Sequence, residues 1–257
     1  MGTIARILRR MADDPNKLFT KLFFSLAGAP GDVSSLRRIA TFASAEVEAQ
    51  IIKENTQWLE GFINDPKNDQ VFLDKAKFLE NQSSPAAMAE KLAAKELATF
   101  QGSIDAASLV FMHSALDAGM LDLFRVIHQA DPAALTGAVE AKQASLKDVR
   151  EKGYDALRND HIEDFIKQID RKSVIEKTDK LRVACKPEGY ERKDFVFDRD
   201  RLIKIDDLRH GVVHGERPKG PIPKVEEYVS YLSETGLFFW GMVNFRFGVK
   251  LDPAYLP

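Results

Sequence analysis

Arg209 and His214 stand five positions apart in the run Ile205-Asp-Asp-Leu-Arg-His-Gly-Val-Val-His-Gly215, in a chain with only five histidines among 257 residues. Their types suit one kind of chemistry. Cutting RNA without a metal needs a base to take the 2′-hydroxyl proton, an acid to protonate the leaving 5′-oxygen, and positive charge on the phosphate as it becomes pentavalent. Histidine titrates near neutrality and can be base or acid, and a guanidinium grips phosphate oxygens in a bidentate fork without losing its charge. At about 100° per residue the two positions lie roughly 140° apart on a regular helix. A long arginine at a distorted or ending helix, or two subunits, must therefore bring them together. The competing reading is structural: Arg209 pairs with Asp206 or Asp207, and His214 closes the helix C-terminus.

The spacing, the polar His210 directly after the arginine and Gly215 directly after the histidine resemble the Arg-x(4 to 6)-His signature of the HEPN superfamily. Many members of that superfamily of small α-helical domains are metal-independent ribonucleases. The resemblance covers roughly residues 103 to 247. It implies a dimer with two motifs facing one cleft, cleavage that leaves a 2′,3′-cyclic phosphate, and a setting as toxin, abortive-infection factor or stress ribonuclease restrained by an antitoxin or other regulator. Arg209 would hold the scissile phosphate and His214 would transfer protons, the helix dipole favouring its imidazolium form and the acid role. His210 would orient the site. Asp117, where many HEPN domains place an acidic residue facing the motif, is a secondary candidate for orienting Arg209. Two alternatives remain: a non-catalytic HEPN-like protein that binds nucleotide, RNA or a partner protein, and a helical bundle in which the motif is coincidental.

The elements that must carry these residues read as helices throughout, with no strand-period alternation between hairpin dipeptides. The expectation is an all-α helical bundle, HEPN-like over 101–257, with an N-terminal helical region over 1–100 that belongs either to the same core or to a separate layer. The motif helix begins near Asp198, an N-cap, with Leu202, Ile205, Leu208 and Val212 facing inward, and Gly215 supplies the left-handed residue that stops it. The strongest pattern runs from about Ser103 to Ala130, with Leu109, His113, Leu116, Met120, Leu123 and Ile127 along its seam. His113 there reads as a hydrogen-bonded core histidine, with Asp117 within reach at i, i+4. Separate helices are expected over Leu18–Leu26, closed by Gly28-Ala-Pro-Gly31, and from Ser34 or Ser35 to about Phe62. A weak segment covers 71–78, and an alanine-rich helix starts at Ser84-Pro85. Asp131-Pro132 opens a helix reaching about Glu151. Others follow over Asp155–Ile169, Ser173–Val183 and Lys224–Phe247, the last bearing an aromatic group that forms core or a dimer interface. His128 and His161 read as surface residues at helix ends.

Composition narrows the partners. A net charge of −2 excludes a generally basic nucleic-acid coat, so RNA must be met by a local patch. From Arg171 to Lys193 eight basic residues face four acidic ones, a local excess of +4 that also suits a solvated helix face. A single cysteine, Cys185, allows no intrachain disulfide and too few thiol ligands for zinc. No nucleotide-binding glycine loop and no metal-ligand motif is present, so no cofactor or metal is expected. The N-terminal pattern fits no secretory signal, and no apolar run reaches the ~18 residues that span a bilayer. The expected location is the cytoplasm.

Overall fold

In the computed structural model the described residues are 15–71, 84–138, 145–215 and 220–252. Among them there is no strand; seven α-helices and two 3-10 turns make an all-α protein. The helices are α1 (Pro15–Asn64), α2 (Pro85–Ala130), α3 (Leu146–Lys152), α4 (Tyr154–Ile169), α5 (Val174–Cys185), α6 (Arg199–Val213) and α7 (Val225–Phe247). The 3-10 turns follow α1 and α2, at Pro66–Val71 and Pro132–Gly137.

Two expected breaks are absent. Gly28-Ala-Pro-Gly31 does not close a helix; α1 runs through it for 50 residues with Pro30 inside. Proline lacks the N–H that would bond the carbonyl four residues back. That carbonyl, on Leu26, instead accepts from Ser233 Oγ at 3.3 Å in a buried setting, so the helix continues without an orphaned group. The alanine-rich helix and the long seam helix are likewise one element, the 46-residue α2. By length and composition α2 qualifies as a membrane span, contrary to the expectation that no stretch does, and 56% of its most apolar window is buried inside the protein. Asp131 caps only a 3-10 turn, its carboxylate accepting from Ala133 N, and α3 begins afresh at Ser145 with a capping box. Most of the weak segment at 71–78 lies outside the described residues.

The described residues form two compact units. The first draws on residues 15–31, 110–138, 145–210 and 226–252. Its core centres on the second half of α2, where Met112, Leu116, Met120, Leu123, Phe124 and Ile127 are fully buried, joined by Leu202 and Ile205 of α6 and by Leu232, Phe239 and Met242 of α7. Helices close most tightly at Leu26, where a Cβ added to Gly236 would come within 2.8 Å of Leu26 Cδ2. Trp240 stacks on Phe19 at 4.3 Å and donates its indole N–H to the Phe19 carbonyl; of the α7 aromatics Tyr231 and Phe239 are buried, while Tyr228, Phe238 and Trp240 are half-buried.

The second unit draws on residues 32–71, 84–109, 211–215 and 220–225. Small side chains, Ala89, Ala93 and Ala106, are buried in it, and its centre holds a charge. Asp105 is buried and fully engaged: Arg37 Nη2 lies 3.2 Å away, Gln101 Nε2 donates at 3.1 Å, and the Ile222 backbone N–H donates at 2.9 Å. A buried carboxylate survives only with such company. One aspartate thus ties α1, α2 and the 220–225 segment together.

Candidate functional site

The helix that carries the motif is fixed at its start by its sequence and by one tyrosine. Asp198 Oδ1 accepts from the N–H groups of Asp200 and Arg201, the expected N-cap. Tyr231 of α7 then clamps the cap itself, accepting from Asp198 N at 2.9 Å and donating to Asp198 O at 2.5 Å. Burial first raises the Tyr231 hydroxyl above its ordinary value, which keeps it the proton donor this clamp needs. Arg201 lies over the same ring at 4.6 Å, and Arg199 forks onto Asp179 of α5, with Nε 3.0 Å and Nη2 2.8 Å from the carboxylate. Leu202 and Ile205 are buried as expected; Leu208 and Val212 are only half-buried, so the inward face fades towards the motif.

Around the motif the partners differ from those expected at i, i+4. His113 does not meet Asp117. Its Nε2 lies 2.7 Å from Asp206 Oδ1, on the turn of α6 before Arg209. The His113 contact, followed by the charges of Arg209 and His210, holds the Asp206 carboxyl below its ordinary value against the opposing effect of burial. Asp117 turns to Lys177, a fully buried lysine whose Nζ donates to Asp117 Oδ1 at 2.7 Å. The geometry therefore gives Asp117 to α5 instead of to Arg209. The acid that faces Arg209 is Asp206, which the sequence offers only as the structural partner.

Arg209 itself is half-buried. Among the described residues no carboxylate comes within ion-pair distance of it, and its Nε is shut from solvent with no acceptor. Asp206 reaches it through its longer-range field alone. An unsatisfied buried donor costs roughly 1–3 kcal/mol, which an anion bound at Arg209 would offset. His210 is exposed on the last turn. The helix ends at Val213, and His214 lies exposed in the turn beyond it, followed by Gly215 at φ +103°, the positive φ that favours glycine. The boundary between the two compact units falls within α6, between His210 and Gly211.

The remaining titratable groups take structural places. Cys185 is buried and desolvation pushes its thiol up to about 12, which rules it out as a nucleophile. His128 and His161 are half-buried instead of on the surface, and His161 lies in the middle of α4; burial lowers His128 first. Of the basic run 171–193, Lys177 is core, Lys180 donates to the Ala138 carbonyl at 3.1 Å, and Arg192 is held by Asp194 and Glu234. Among the described residues no group of three or more His, Cys, Asp or Glu side chains is placed to hold a metal. The Asp105 cluster and the buried Lys177 escape sequence reading, because a single charge inside an apolar pattern looks like a solvated one. The chain matches no family model, no curated protein and no solved structure.

Proposed function

We propose that this chain is a metal-independent endoribonuclease of HEPN type, acting as a homodimer in the cytoplasm. The observation that carries the reading is Arg209, a half-buried guanidinium with no ion-pair partner among the described residues and with no acceptor for its Nε. A guanidinium so placed keeps its charge and its donors for an anion. Arg209 binds the scissile phosphate and offsets the charge that grows in the pentavalent state. His214, exposed just past the α6 C-terminus, protonates the leaving 5′-oxygen, and a neutral histidine of the other motif takes the 2′-proton. His210 orients the site. The 2′-oxygen attacks phosphorus, the P–O5′ bond breaks, and the products are a 2′,3′-cyclic phosphate and a 5′-hydroxyl. Such an activity suits a toxin or a defence or stress factor that a regulatory protein restrains.

The test is cleavage of a single-stranded RNA by wild type, Arg209→Ala, His214→Ala and the double variant, after equal helicity is confirmed. Each single change should lower the rate by at least ~10². The double variant should be hardly worse than either, because groups that act as one unit lose their effect together. Wild-type activity should survive excess EDTA. Rates undiminished in the variants would show Arg209 and His214 to be a helix end only, and RNA bound but never cut would favour the non-catalytic binding protein.

A further inference from the structure

The loop between α5 and α6 and the outer face of α7 enclose a groove of about 570 Å³ that plays no part in the reaction just described. Its floor is aromatic. Phe238 is the hub, with ring centroids 5.4 Å from Tyr190, 5.7 Å from Phe195 and 6.1 Å from Phe197. Tyr190 enters this cluster over Gly241, where any Cβ would collide with its hydroxyl. All four rings remain partly open to solvent, and Val196 on the wall is 85% exposed, unusual for a valine held in an ordered loop.

The rim is cationic. Arg192 is neutralised by Asp194 and by Glu234 at 2.6 Å, leaving Arg182, Lys193 and Glu191 as the remaining charged groups of the lining. Neither Arg182 nor Lys193 has an ion-pair partner among the described residues. Two unsatisfied cations against one carboxylate beside open aromatic faces complement a ligand that is both flat and anionic. An apolar peptide would leave the cations unmatched, and an acidic peptide would leave the rings bare.

We propose that this groove binds unpaired nucleotides of the RNA, bases stacked on the rings around Phe238 and phosphates on Arg182 and Lys193. The inference rests on RNA being the substrate, not on the cleavage chemistry. Stacking on aromatic rings is sequence-tolerant, and duplex RNA hides its base faces, so the groove selects single-stranded substrate. It lies at the N-terminal end of α6, whereas Arg209 lies ten residues further along, about 15 Å at 1.5 Å per residue. It is thus a substrate-holding site apart from the reacting atoms.

The experiment uses a 2′-O-methyl oligonucleotide, which cannot be cleaved, and measures its anisotropy with the full chain across a salt series. Arg182→Ala/Lys193→Ala should weaken binding about 10-fold and lower the salt slope by about 1.4, the loss of two phosphate contacts at ~0.7 each. Tyr190→Ala should weaken it about 10-fold, and Tyr190→Phe, which keeps the ring and the packing, should bind as wild type does. The same sequence as a duplex should bind more weakly. Unchanged affinity and slope in Arg182→Ala/Lys193→Ala would overturn the proposal, as would equal binding of a poly-glutamate peptide. Groove-dependent binding with no cleavage of unmodified RNA would leave the groove standing and remove the ribonuclease; cleavage indifferent to the groove variants would do the reverse.

Discussion

Asp206 contacts His113 and feels the charge of Arg209, and its lowered pKa makes its contribution depend on pH in a definite sense. A carboxylate depressed in the folded state stabilises it above its unfolded pKa, and that stabilisation is lost as pH falls through the folded value. Asp206→Asn should therefore be less stable than wild type at about pH 7, and the gap should close as pH falls below the ordinary carboxylate range. Denaturant unfolding of both proteins along that pH series measures it, and a pH-independent gap would show that packing, not charge, makes the difference. Cys185 gives a second outcome at this scale. With its thiol at about 12 and its side chain buried, it should resist iodoacetamide in the native protein and react only when the chain unfolds. Rapid native labelling would mean that α5 opens locally.

At the scale of elements, helices were legible wherever a local signal sets them. Asp198, Ser173 and Gly215 act through groups within a few residues, so α5, α6 and the end of α6 fall where those residues indicate. The break expected at Gly28–Gly31 does not form, since what overrides it comes from far along the chain. Pro30 is tolerated because Ser233, over two hundred residues later, takes the Leu26 carbonyl. The site shows the same limit: Arg209 and His214 are visible as a spacing, but His113 reaches Asp206 across 93 positions, so their pairing is a property of packed helices. The Pro30–Ser233 coupling can be measured. Ser233→Ala should cost about 1 kcal/mol by orphaning the carbonyl, and much less in a Pro30→Ala background, where residue 30 regains the N–H that bonds it. A double-mutant cycle with no interaction energy would show that the serine does not compensate for the proline.

At the scale of the molecule, the two compact units are built on different physics. The first is an apolar core around Leu116, Met120 and Phe124, into which Lys177 is admitted with Asp117 as its partner. The second buries Leu59, Ile63 and Leu109 beside small alanines, and one buried aspartate holds three of its segments. Removing one partner of a buried ion pair leaves the other uncompensated, at roughly 3–5 kcal/mol. Asp105→Ala removes the carboxylate that Arg37, Gln101 and the Ile222 N–H share, and its effect should concentrate in the second unit. Hydrogen exchange of that variant should show lost protection over 32–64 and 85–109, while amides of α4 and α5 keep theirs. Protection lost evenly across the chain would show that the aspartate supports a single cooperative fold.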